Sequence, residues 1–413
     1  MDKIAITGIG IVSPSGMDKR KFWANVKAGR SAVETITRFD ASKYPSHVAG
    51  HVHELDAYSN VSSRLLKKID LFSHMALVAS ELALQDAKID LQQENLERAG
   101  IFMGNAIGGW LYAETELRDM YIEGREGVSP FMASAWFPAA PQGQVSIHYG
   151  IKGYSKTVVA DRASSLMAIA YAAKTLIRGK NDFIIAGGME APVTPYALLC
   201  CNTSGMLTHK NDTPQTAYRP FDKTRDGFAI AEGAGIVILE SQDRVKKRNA
   251  QVYANIIGYG TTTDGVDRID PAKDGKELAS AIRIALEDAK LEPSQIDYIC
   301  LDGAATQLGD VTETMAIKQV FNGKASARKI PCSAPKSVFG NMLGACGALD
   351  VITTVLAMEH SLVPPTINLT TPDPECDLDY VPNKAQAKTI KNALVINRGR
   401  GGINCALILQ KAD

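Results

Sequence analysis

Few places in this sequence put chemically active residue types at a working spacing. Ser333 and Lys336 stand three apart, as in enzymes whose lysine activates a serine on one helical face. Pro335 between them removes a helix hydrogen bond, so the match reads as chance. His51, His53 and Glu54 are metal-ligand types, but neutral loops often hold such pairs and no metal site is expected. Gly8-Ile9-Gly10 lacks the third glycine and the later acid of a dinucleotide fingerprint, and no cofactor is expected. Cys200 and Cys201 have neither His nor Lys beside them and read as buried structural thiols. The remaining run is Thr157–Ser165, where Asp161, Arg162, Ser164 and Ser165 lead into an apolar helix.

The elements that would position these residues alternate along the chain. Ile4–Val12 reads as a first strand, His74–Ala87 as a helix, and Gly100–Met103, Lys156–Ala160 and Asp182–Ala186 as strands. Ala163–Ile177 is apolar nearly all round and should be wholly buried. A comparable series restarts after residue 250 with Val252–Ile257, the helix Glu277–Ala289, the strand Ile296–Leu301 and the small-residue helix Leu343–Met358. Thr157–Ile177 therefore has a counterpart in Ile330–Leu356, and Phe228–Leu239 has one in Ala393–Leu409. The pattern predicts a duplicated α/β body with halves at 1–250 and 251–413.

Composition narrows the classes further. The 413 residues are 45% hydrophobic and 22% charged, a globular balance. Lys plus Arg equals Asp plus Glu at 45 each, so nothing draws the whole chain to nucleic acid or anionic lipid. The seven cysteines are scattered without a CxxC, which suggests reduced thiols and a cytoplasmic protein. No signal peptide is expected, and no apolar run of about 18 residues suggests a membrane span.

The chemically suggestive runs together resemble one family. Thr157–Ser165 resembles the nucleophile elbow of β-ketoacyl synthases. The runs Ile185–Glu190, Arg219–Asp222, Arg225–Ala234, Asp302–Glu313, Pro335–Ala345 and Gly401–Asn404 resemble that family's later markers, in order. The resemblance implies the thiolase fold, a duplicated five-layered α-β-α-β-α architecture with pseudo-two-fold related halves. It also implies a catalytic cysteine at the head of the buried helix and two histidines. Here those positions hold Arg162, Asp302 and Asn341, while Lys336, Asp310, Glu313 and Thr306 remain. A guanidinium stays protonated and cannot attack a thioester.

This pattern resembles the chain-length factor of type II polyketide synthases, although such subunits usually carry Gln where Arg162 stands. The expectation is therefore a chain that is no enzyme on its own. It would pair with a catalytic ketosynthase paralogue, through the strand near Lys156–Ala160, and shape the tunnel for decarboxylative condensation of acyl carrier protein thioesters. By resemblance, Ile107, Trp110, Tyr112, Phe131, Met132 and Trp136 would lie at the interface tunnel holding the growing polyketide chain, and Arg398 and Arg400 in a gating loop. Arg162 and Asp302 should form an ion pair that fills the pocket, with Asn341 beside it. The alternative is a malonyl-carrier-protein decarboxylase making the acetyl starter.

Overall fold

The structure is a computed structural model and describes residues 2–412. Ten strands form one mixed sheet: β1 (Ile4–Val12), β2 (Ala99–Gly104), β3 (Lys156–Val158), β4 (Phe183–Glu190), β5 (Gly233–Ser241), β6 (Ala254–Thr263), β7 (Tyr298–Cys300), β8 (Cys332–Ser333), β9 (Asn392–Gly399) and β10 (Ile403–Lys411). Their spatial order is β8-β7-β9-β10-β6-β1-β5-β4-β2-β3. The order reads alike from either end. Each half runs parallel, parallel, antiparallel, antiparallel, and the halves join where β1 and β6 pair antiparallel over three residues. This is the thiolase fold.

Helices complete the five layers. The helix α1 (Leu71–Asp86) covers the outer face of the first half. The helix α2 (Trp110–Glu123) follows β2. The helices α3 (Ser164–Ile177) and α4 (Pro195–Thr203) follow β3 and β4. The helix α5 (Lys276–Ala289) covers the second half, with α6 (Gln307–Val320) beside it. The helix α7 (Cys346–His360) packs against α3 in the middle layer.

The duplication also shows in packing. The β carbon of an alanine at Gly10 would stand 1.9 Å from the Ala79 carbonyl oxygen of α1. At Gly260 it would stand 2.1 Å from the Ala281 carbonyl oxygen of α5. Gly8 and Gly258 press in the same way on Ala83 and Ala87, and on Ala285 and Ala289. Gly8-Ile9-Gly10 is therefore a seat for a helix, and Gly258-Tyr259-Gly260 is its twin.

Three expectations are corrected. The counterpart of β9–β10 is β4–β5, because Ile230–Ala231 leaves the large sheet and pairs with Val48–Gly50. α3 is not wholly buried: Met167, Tyr171 and Lys174 form a half-buried stripe, and Ile177 is 37% exposed. Lysine stems cover that stripe, with Lys156 Nζ 4.8 Å from the Tyr171 ring centre and Lys174 Nζ 4.3 Å from that of Tyr259. Finally, Leu343–His360 is long and apolar enough to cross a membrane, yet 89% of it is buried inside this body.

Backbone oxygen atoms block the added β carbons, so the strands must shift to admit them. Gly10→Ala and Gly260→Ala should each cost about 1–3 kcal/mol, read as a lowered urea midpoint with an unchanged denaturant slope.

Candidate functional site

The site is built where the central helices begin. The chain leaves β3 through Ala160 and turns at Asp161, which holds a left-handed φ of 50°. A non-glycine residue there is strained, and the surroundings fix it. The Asp161 carboxylate accepts the Arg400 N–H at 2.8 Å and its guanidinium at 3.2 and 3.3 Å. The Ser164 hydroxyl accepts the Ala160 N–H at 2.7 Å and donates to the Asp161 carbonyl at 2.6 Å. Ser165 accepts the Ala348 N–H at 3.0 Å, tying α3 to α7. Both serines are therefore committed to the scaffold.

Arg162 stands at this turn, 5% exposed. Its Nη2 lies 3.7 Å from Asp302 Oδ2, a charge contact longer than a hydrogen bond. Its Nη1 lies 3.5 Å from Asp161 Oδ2 and 3.9 Å from the Met206 sulfur. Burial opposes the charge, but Asp302 and then Asp161 outweigh it and raise the Arg162 pKa. Asn341 does not reach the guanidinium. Its Oδ1 accepts the Leu343 N–H at 3.0 Å and the Cys346 thiol at 3.2 Å, and its Nδ2 faces the Tyr218 hydroxyl at 3.4 Å. The pocket is not filled either: a cavity of about 270 Å³ remains, lined by Arg162, Asp302, Met206, Asp264, Thr306, Arg398 and Asn404 among others.

The retained polar residues hold the surrounding backbone. Lys336 donates to the Leu301 carbonyl at 3.1 Å and pairs with Asp350 at 2.5 Å, both side chains fully buried. Glu313 accepts the N–H groups of Asp302 and Gly303 at 2.8 and 3.0 Å. Asp310 accepts those of Phe221 and Ala305 at 2.7 and 2.9 Å, and meets Arg225 at 3.2 Å. Thr306 caps α6 by accepting the Gly309 N–H at 3.2 Å. Burial pushes the Glu313 carboxyl up to about 8, with Asp302 adding to it, and the Asp310 carboxyl up to about 7. Glu190, which sequence reasoning passed over, is raised by burial to about 8 and accepts the N–H groups of Ala106, Ile107 and Gly344.

The gate assignment changes in part. Arg398 sits in β9, not in a loop, and is 5% exposed. It bonds Thr312 at 2.7 Å, Gly309 at 3.3 Å and Asn404 at 3.2 Å, because strand register sets it opposite Asn404. Arg400 follows the strand and grips Asp161. The six aromatic and apolar candidates gather elsewhere, and none lines the cavity at Arg162. Trp110 lies 4.8 Å from Tyr196 and 6.5 Å from Trp136, ring centre to ring centre. Tyr112 bonds Ser129 at 2.9 Å, and Lys68 Nζ caps the Phe131 ring at 4.6 Å. Met132 is half-buried, and Ile107 packs half-buried against the core cluster that holds Leu198, Met206 and Leu343.

A duplicated thiolase-fold body with an elbow at the head of its central helix defines a ketosynthase. Family models agree: the β-ketoacyl synthase N-terminal domain matches residues 1–244 and the C-terminal domain matches residues 253–370. The chain belongs to the β-ketoacyl synthase family. It is 38% identical over 411 residues to 3-oxoacyl-[acyl-carrier-protein] synthase 2 of Staphylococcus aureus strain COL, covering 100% of this chain and 99% of the relative. The Coxiella burnetii protein of the same name is 36% identical over 409 residues, covering 99% and 98%. Among solved structures, a type II polyketide acyl carrier protein in complex with its hexaketide-bound ketosynthase, AntDE:AntF, superposes with a TM-score of 0.92 at 31% identity over 100% of both chains. The ishigamide ketosynthase/chain length factor gives a TM-score of 0.92 at 30% identity, again over 100% of both.

The named relatives correct one expectation. The reading of this chain as no enzyme on its own rested on three residue positions. Full-length relatives named as synthases, which are catalysts, point to an enzyme.

Two outcomes follow for stability. Glu313, Glu190 and Asp310 hold protons in the folded state that the unfolded chain releases above about pH 5. The unfolded state thus binds fewer protons, and stability should fall as pH rises from about 5 to about 8. Urea midpoints across that range should show the decline, and Glu313→Gln should flatten it. Separately, Lys336→Met strands the buried Asp350 carboxylate and should cost about 3–5 kcal/mol, with Lys336→Met/Asp350→Leu recovering most of the loss in the same assay.

Proposed function

We propose that this chain works in decarboxylative condensation of acyl carrier protein thioesters, as the half of a two-chain ketosynthase that bounds the elongation tunnel and sets chain length. The observation that carries this reading is the guanidinium of Arg162 at the elbow, where thioester chemistry asks for a nucleophile. In the proposed assembly a ketosynthase paralogue carries the acyl group on its own cysteine. The likeness to a ketosynthase/chain length factor structure and to a ketosynthase in complex with its carrier protein supports the choice of partners.

The surface supplies a place for the paralogue. Among the described residues β3 is an edge strand paired with β2 alone. Val159, at 56% exposure, and Tyr154, at 50%, flank it along the chain, while exposed Phe137 packs on Trp136, whose ring lies by Trp110 and so joins Tyr196. An open edge flanked by large apolar side chains needs covering. A partner seated here would enclose the aromatic group around Trp110, Tyr112 and Phe131, making it the wall that ends the tunnel.

Co-expression with the paralogue and a carrier protein should yield a heterodimer that makes products of one length. Trp110→Ala, Tyr112→Ala or Phe131→Ala should lengthen the product by one or more ketide units, read by mass spectrometry. Unchanged lengths in a folded complex would refute the wall assignment. Release of carbon dioxide from malonyl-carrier protein by this chain alone would identify a starter-making decarboxylase instead.

A further inference from the structure

Two guanidinium groups line the cavity at the elbow, and their bonding differs sharply. Arg398 is the better bonded: Nε bonds Asn404, Nη1 bonds Thr312 and Gly309, and Nη2 lies 3.8 Å from Asp264. The Arg162 side chain is 6% exposed, yet its Nε has no hydrogen-bond partner among the described residues. Nη1 faces Asp161 and Met206, Nη2 lies 3.7 Å from Asp302, and Cζ stands 5.8 Å from the centre of the Phe228 ring. The Nε–Nη2 side is the edge on which a guanidinium grips a carboxylate with two parallel hydrogen bonds. Here that edge carries one long charge contact and no hydrogen bond.

The surroundings favour an acid. Arg162 precedes the first turn of α3, a 14-residue helix whose N-terminal end adds positive potential. Arg398 is close enough that burial and Arg162 help depress its pKa, so both cations are poorly solvated. The adjoining cavity, about 270 Å³, has room for a short organic acid but not for a long chain. Its walls place the Arg162 cation beside the Met206 thioether and the Ala304 methyl group, which suits a small acid with a short carbon spacer. The opposing charges are Asp302, Asp264 and Asp270, which line the same cavity; Asp161 is held by Arg400 and Asp264 by the Asn404 amide at 2.6 Å, which leaves Asp302 as the competitor beside Arg162.

We propose that the cavity at Arg162 is a binding site for a short carboxylate, gripped on the Nε–Nη2 edge in competition with Asp302. The bound acid is recognised by its carboxylate, whether free or at the end of a thioester-borne acyl group. The site does not rest on the tunnel reading: product length tests that reading, and acid binding tests this one.

The test is isothermal titration of the full chain, in its complex if it purifies as one, with the partner kept constant. Malonate is the charged probe and malonamide its neutral match. Malonate should bind at least about tenfold more tightly than malonamide, a difference of ~1.4 kcal/mol. Arg162→Gln should erase that preference. Asp302→Asn removes the competing carboxylate and should tighten malonate binding several-fold, so the two substitutions move affinity in opposite directions. Equal binding of the two probes, no malonate binding at millimolar concentration, or an Arg162→Gln protein that binds malonate as wild type does would each overturn the assignment. Malonyl-pantetheine against acetyl-pantetheine separates the sources: a preference for the malonyl thioester exceeding that for free malonate marks an acyl-borne acid, and the reverse marks a free one.

Discussion

The contact between α3 and α7 governs this molecule. Both helices carry apolar and small side chains on nearly every face, so each must find another layer to lie against. They find one another. A β carbon at Gly347 would stand 2.6 Å from Leu166, which shows how closely the axes approach. Ser165 crosses the gap to the Ala348 N–H and fixes the register. Once that contact is set, the sheet halves must lie on opposite sides of it, and the two helix N-termini must open on one side of the body. The turns feeding them are strained in like fashion, at Asp161 with φ 50° and at Leu343 with φ 43°. The site is the place where those two turns meet.

Such a meeting point gathers charge, and burial lets charge survive there only in company. Lys336 has Asp350, and Arg225 has Asp310 and Asp373. Arg398 has a ring of oxygen acceptors. Arg162 is the outlier, since its two carboxylates stand at 3.5 and 3.7 Å and neither is oriented for a strong hydrogen bond. A helix N-terminus repels a cation. The turn therefore needs both aspartates near it, and Arg400 must in turn hold Asp161 in its strained conformation.

Much of this was legible in the residues, and the misses have a common cause. Strand-like apolar runs marked β1, β2 and β4, and the run Thr157–Ser165 announced the helix after it. The order of short motifs carried the fold. What the sequence concealed was long-range register. Gly8-Ile9-Gly10 was legible as no dinucleotide fingerprint, but its role as a helix seat shows only in space, where its twin Gly258-Tyr259-Gly260 presses on an equivalent row of alanines. The hairpin was matched to the wrong strands because local pattern cannot tell that Ile230–Ala231 leaves the sheet. Arg398 was placed in a gating loop by resemblance. Only pairing with Asn404 shows it to be buried in a strand. Glu190 gave no local signal, since the N–H groups it accepts come from residues 84, 83 and 154 positions away.

The substitution at the elbow adds to a field rather than merely deleting a group. In this fold the head of α3 presents positive potential to the cavity. A thiol placed there would lose its proton more readily, and the field would be used to create an anion. With Arg162 in that place the cation and the helix end point the same way, and the carboxylates of Asp302, Asp264 and Asp270 on the cavity wall oppose them. That distinction joins the relatives' chemistry to the residues present here. The scaffold, shared over the full length with named synthases, holds here a strained turn, paired charges and a cavity, and Arg162 and Asp302 set what that cavity presents.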